Sequence, residues 1–133
     1  MTALRRMSLV ASGGAVGGLA RAVIALLLVQ SAEAPHWAAP ALLAVNLSGS
    51  LLAGFLRGLL EREQASGRDG TELDAFMLVG FCGGFTSYSG FVDASVGGSA
   101  WICAATLVLC PFSALLGMRL SGGYPARSAG IPR

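Results

Sequence analysis

Two polar side chains stand inside long apolar runs of this sequence, and each demands a physical reason. Arg21 lies within residues 7–29, where its neighbours are Ala, Val, Ile and Leu. An arginine at the centre of an apolar helix costs about 2.5–3.5 kcal/mol on insertion scales. It therefore attracts anions at a water-filled vestibule, or it snorkels its head to an interface. Asn46 lies in a second run and begins a series, Asn46, Ser50, Gly54, Gly58, that recurs every four residues and so shares one helix face. The amide and hydroxyl either bond across to neighbouring helices or form a polar track, since both can donate to an anion.

A third constellation fills residues 80–91, Gly-Phe-Cys-Gly-Gly-Phe-Thr-Ser-Tyr-Ser-Gly-Phe. Glycine weakens a helix, and hydroxyl side chains compete for its backbone hydrogen bonds. The expectation is a broken helix whose freed carbonyls or N–H groups meet an ion. Such backbone survives in a membrane only if buried in protein or lining a polar cavity. The alternative is a packing helix, which Gly80-x3-Gly84 would serve. Tyr88 and Phe91 follow the expected break. On their own they read as core, but ring edges carry partial positive charge and two could flank a small anion. Asp93 reads as interfacial.

No enzyme is expected. His36 stands alone in a loop, and there is no Ser/His/Asp trio, P-loop or HExxH motif. Cys82, Cys103 and Cys110 sit in apolar runs without metal-type spacing, and read as small packing residues.

The elements that must position these groups are four apolar runs at about 7–29, 37–60, 73–96 and 99–120. Each is long enough, at ~1.5 Å per residue, to cross a hydrocarbon core of ~30 Å. The chain reads as an all-α membrane protein: a four-helix transmembrane domain over residues 1–121 and a disordered Gly/Pro/Arg tail over 122–133. Composition agrees, with 54% hydrophobic and 12% charged residues, against about 25% charged in soluble domains. Glycine, 19 of 133 residues, suits close helix packing. Arg5-Arg6 before an apolar run invites a signal-peptide reading. A first transmembrane helix fits better, because the run exceeds a cleavable length and contains Arg21. The basic residues form no stripe with aromatics, so no nucleic-acid partner is expected.

With four spans, the N-terminus, the 61–70 loop and the C-terminus share one side. That side holds eight arginines: 5, 6, 57, 62, 68, 119, 127 and 133. The loops at 31–36 and 97–99 hold none. The positive-inside rule then places both termini in the cytoplasm.

Three ordered motifs resemble the Fluc/CrcB fluoride channel family. They are Gly13-Gly14-x2-Gly17-x3-Arg21, Val45-Asn46-x2-Gly49-Ser50-x3-Gly54, and the 80–91 segment, which resembles the signature GxxGGxTTFSTF. The resemblance implies an antiparallel dimer of two four-helix units in the cell membrane (plasma or inner membrane), passively exporting fluoride to reduce its toxicity. It implies a central Na+ held by carbonyls at the break of the third helix, which map to Gly83 and Thr86. It implies a fluoride pathway at Asn46, Tyr88, Ser89 and Phe91, with Arg21 at the vestibule. The sequence departs from the family at Tyr88, where a Phe is usual, and at Ser87 and Gly90, where Thr is usual. On the fourth helix, anchoring on Leu116-Gly117 puts Cys110 and Ala114 where the family carries Ser and Thr, with Ser113 the nearest hydroxyl.

The arginine count bears on assembly. An antiparallel homodimer needs a chain that inserts both ways, whereas eight arginines against none fix one orientation. A second, homologous chain of opposite orientation is the favoured partner, with a homodimer the other possibility. Two other readings stand beside the channel. One is a non-conducting structural or regulatory membrane subunit. The other is a small multidrug-resistance-type transporter, disfavoured because residues 7–29 lack the acidic residue such an exchanger needs.

Overall fold

The computed structural model describes residues 1–30, 38–97 and 100–122. All regular structure among them is helical. Helix α1 spans Ala3–Gln30 and α2 spans Ala38–Ala65. The third span is built from short pieces: α3 (Thr71–Leu73), a π-helical stretch Asp74–Cys82, α4 (Gly83–Phe85) and α5 (Tyr88–Val96). Helix α6 spans Ala100–Leu120. Four spans, of 25, 26, 23 and 21 residues, are long and apolar enough to cross a membrane. The protein is a multi-pass membrane protein. His36, Arg127, Arg133 and the expected tail from residue 123 onward lie outside the described residues.

α1 begins before the apolar run and α2 continues beyond it, because the added turns carry charge that water can solvate. Arg5 pairs with Glu72 at 2.9 Å, and Arg57 with Glu61 at 3.0 Å. These exposed pairs are each worth about 0–1 kcal/mol. Their use is geometric, since Arg5–Glu72 ties the start of α1 to the start of the third span. Arg62 Nη1 donates to the Ser121 carbonyl at 2.7 Å, tying the end of α2 to the end of α6. The last carbonyls of a helix lack internal partners, and a cation there also suits the helix dipole. At the same end, the Thr71 hydroxyl and backbone N–H hold the Asp69 carboxyl below the usual carboxylate range.

Lipid supplies no hydrophobic drive for helices to associate, so close backbone approach and dispersion do the work. Glycines provide that approach in two helix pairs. Between α1 and the third span, Gly80 lies against Gly13 and the Val10 carbonyl, and Gly84 lies against Gly14, 2.9 Å from where a Cβ on Gly84 would sit. Between α2 and α6, Gly54 lies against Ala114, and Gly117 against Leu51 and Phe55. The Gly80-x3-Gly84 pair therefore does pack a helix pair, as the alternative reading of that segment held. Leu19, Leu26 and Phe112 point outward and are exposed, as lipid-facing residues should be.

The π-helical stretch was not expected from sequence. Its i→i+5 bonds have poorer geometry than α bonds, and π turns recur at functional sites. At its end Gly83 and Gly84 return the chain to α geometry. Then two residues leave the helix: Thr86 has φ −72° and ψ 156°, and Ser87 φ −129° and ψ 106°.

The glycine contacts give a paired prediction. Gly84→Ala drives a methyl into the Gly14 backbone and should destabilise the protein by about 1–3 kcal/mol, read as a lower melting temperature in detergent. A Cβ on Gly83 meets nothing within 4 Å, so Gly83→Ala should melt like the parent. Equal melting of the two variants would contradict this packing.

Candidate functional site

The two extended residues at Thr86–Ser87 create a satisfaction problem, because a backbone outside a helix leaves N–H and C=O groups unpaired. Asn46, on α2, answers it. The Ser87 N–H donates to Asn46 Oδ1 at 2.9 Å, and Asn46 Nδ2 donates to the Ser87 carbonyl at 3.4 Å. The side-chain amide thus pairs with one peptide as a neighbouring strand would. Asn46 is 6% exposed and Ser87 7%, so water is poorly placed to substitute. Ser87 then caps α5, its Oγ accepting the Gly90 N–H at 3.1 Å. A serine at N-cap stabilises a helix start by about 1 kcal/mol.

These substitutions have a consequence for two carbonyls. In an unbroken helix the Gly83 carbonyl would receive the Ser87 N–H, and the Thr86 carbonyl the Gly90 N–H. Both donors are engaged elsewhere, by Asn46 and by Ser87 Oγ. The Cys82 carbonyl, by contrast, receives both the Thr86 N–H at 3.0 Å and the Thr86 hydroxyl at 2.9 Å. Gly83 is exposed, with open space where a side chain would be.

A groove of about 330 Å³ lies beside the interruption. Asn46 and Ser50 of α2 line one wall, and Thr86, Ser87, Tyr88 and Phe91 another. The third wall is α6, with Thr106, Leu107, Cys110 and Pro111. Most of this surface is apolar carbon, with hydroxyls set into it.

Of the residues singled out in the sequence, the structure brings Asn46, Thr86, Tyr88 and Phe91 to this groove. The Tyr88 and Phe91 rings stack, with centroids 6.0 Å apart and planes 25° apart. Tyr88 is 78% exposed and stands at the rim. Ser89 does not line the groove; its Oγ lies 3.4 Å from Ser87 Oγ. Arg21 is half-buried on α1, one turn beyond Gly17, which sits against Phe81 and Phe85. It does not line the groove, and has no ion-pair partner among the described residues. Of the two fourth-helix positions in question, Cys110 is on the groove wall, while Ala114 lies against Gly54.

Sequence reading passed over Thr106 and Pro111. Pro111 lacks an N–H and so leaves the Leu107 carbonyl, also on the wall, without its helical donor. A proline inside an apolar span was the available signal.

Fold and site together define a four-span membrane protein with glycine-packed helix pairs and a mostly apolar groove, set with hydroxyls, beside the Thr86–Ser87 stretch of the third span. Residues 8–121 match the family described as CrcB-like protein, Camphor Resistance (CrcB). The chain belongs to the CrcB family. It is 36% identical over 118 residues to the fluoride-specific ion channel FluC of Sphingopyxis alaskensis, covering 73% of this chain and 88% of that protein. It is 34% identical over 127 residues to the FluC of Chlorobium luteolum, covering 92% and 87%. To the FluC of Bacteroides fragilis it is 40% identical over 85 residues, covering 61% and 63%.

The Asn46–Ser87 pairing can be tested directly. Asn46→Leu strands a buried N–H and C=O and should cost about 1–3 kcal/mol. The expected readouts are a lower melting temperature and faster amide hydrogen exchange over residues 86–90. An unchanged exchange pattern would show that another group holds the Ser87 peptide.

Proposed function

We propose that this chain is a subunit of a passive, fluoride-selective channel that lets fluoride leave the cytoplasm. The observation that carries the reading is the groove at the Thr86–Ser87 interruption, where an apolar wall and hydroxyl donors meet freed backbone. Fluoride is small and strongly hydrated, so a pore must replace its water with donors and positive ring edges. Relatives named as fluoride-specific channels support the substrate. The protein is a channel subunit and not an enzyme.

The interruption of the third span is, in this proposal, its functional break. The carbonyls of Gly83 and Thr86 suit a hard cation such as Na+, because their helical donors are diverted and Gly83 is uncovered. Such an ion supplies fixed positive charge that favours anions nearby. A second homologous chain of opposite orientation would cover Gly83 and Tyr88, polar features that lipid solvates badly. The arginine imbalance favours a different chain in that role over a second copy, and a cell-membrane location with both termini cytoplasmic. Tyr88 and Phe91 then line the pathway with Asn46. Ser89 stands behind Ser87, and Arg21 serves a vestibule.

The test is fluoride efflux from liposomes, followed with a fluoride electrode. The chain reconstituted with an oppositely oriented homologue should release fluoride at least tenfold faster than empty liposomes. The chain alone should not. Robust flux from the chain alone sinks the heterodimer. No flux in any pairing sinks the channel reading and leaves a non-conducting subunit, and proton exchange driven by drug cations points to a transporter. Topology is checked separately: tags at both termini should resist protease in intact spheroplasts and be cut after lysis.

A further inference from the structure

Six side chains with an amide or hydroxyl line the groove, and three of them already make hydrogen bonds to the protein backbone. The Asn46 amide is paired at both ends with the Ser87 peptide. The Thr86 hydroxyl donates to the Cys82 carbonyl at 2.9 Å. Ser87 Oγ accepts the Gly90 N–H and lies 3.4 Å from Ser89 Oγ. Three remain: Ser50 on α2, Thr106 on α6, and Tyr88, which is 78% exposed and stands at the rim, outside the wall between the two facing helices. The Ser50 hydroxyl has no partner among the described residues. The Thr106 Oγ1 is buried and has no hydrogen-bond partner among the described residues.

An unpartnered Thr106 is unusual. A threonine within a helix ordinarily donates to the carbonyl three or four residues back, here Cys103 or Ile102. Buried polar groups in folded proteins are nearly always paired, and an exception calls for an explanation. Thr106 is at the wall of a groove that already carries the polar features described above. Its χ1 has more than one staggered well open to it in a helix, so the hydroxyl can turn toward an occupant of the groove. Cys110, four residues on, shares its helix face and offers only a weak S–H donor.

We infer that Ser50 and Thr106 are the donor pair that takes a small, strongly hydrated anion in this groove, one hydroxyl from each of two facing helices. This rests on the channel reading and locates its ligands. Each O–H donates to the anion and stands in for a water it has shed. Ser50 is one turn from Asn46 on the same face of α2, so the donors adjoin the interruption. Asn46 then acts by positioning: it holds the Ser87 peptide, and the anion is met by the hydroxyls beside it. The sequence comparison had put Cys110 and Ala114 at the fourth helix's donor positions, with Ser113 the nearest hydroxyl. Thr106 supplies a donor one turn before Cys110.

The experiment compares Thr106→Val, Thr106→Ser and Ser50→Ala with the parent in the same liposomes and pairing used for efflux. Hydrogen bonds to charged groups are the strong ones, so Thr106→Val and Ser50→Ala should each slow fluoride efflux roughly 10- to 100-fold. Thr106→Ser should stay within about threefold of the parent, since one donor O–H remains. Melting separates this role from a structural one. Valine removes an unpaired buried hydroxyl at nearly constant shape, a change that is neutral or stabilising, so Thr106→Val should melt no lower than the parent. Slow flux with unimpaired melting supports the assignment. Parental flux in Thr106→Val overturns it and leaves the channel reading standing, and a lower melting temperature overturns it in favour of a structural hydroxyl. If the parent moves no fluoride in any pairing, the channel reading falls and the assignment falls with it.

Discussion

One peptide that leaves the helix, in a setting without water to satisfy it, governs the rest of this structure. The Ser87 N–H and C=O are taken by the two ends of the Asn46 amide. Without that pairing, buried polar groups would favour closing the helix through Thr86 and Ser87. With it, the third span stays open for two residues, the Ser87 hydroxyl becomes free to cap α5, and the Gly83 and Thr86 carbonyls lose their helical donors. A single asparagine on a different helix therefore sets the backbone chemistry of the site, and does so by exchanging one set of hydrogen bonds for another of similar strength.

That exchange requires α2 and the third span to be held in register, and glycine packing provides the register. α1 and the third span meet backbone to backbone at Gly13, Gly14, Gly80 and Gly84, and α2 meets α6 at Gly54 and Gly117. Thr86 and Phe85 in turn come up against Gly49 of α2. Because these contacts are made by backbone, they leave little slack, and a single added methyl is felt. The charged end of the bundle works differently. Arg5–Glu72 is exposed and contributes little energy, whereas the part-buried Arg62–Ser121 bond is charge-assisted and stronger; both fix which helix ends lie together.

As proposed, the groove combines two properties that suit a small anion's pathway. Its wall is mostly apolar carbon, beside which electrostatic contacts are stronger than in water. Its hydroxyls and stacked rings offer positive edges and donors without a full charge, so an anion can be met without being trapped. Arg21 stands apart on α1, off the groove walls.

Four membrane spans were legible from the sequence alone, because length and apolarity are properties of a segment taken by itself. So was the family, because its motifs, Gly83-Gly84 and the hydroxyls after them included, are contiguous in the chain. The shared face of Asn46, Ser50, Gly54 and Gly58 was also legible, since helical periodicity fixes it. What that face meets was not. Asn46 could be read as a packing group or a track residue, and only the fold showed its amide hydrogen-bonded to the Ser87 peptide, 41 positions away. Thr106 and Pro111 looked like incidental members of an apolar helix until α6 packed them against the groove. The reason is geometric: sequence sets which side chains share one helix face, but which faces oppose each other, and so which donors are consumed and which remain, is decided only when the helices pack.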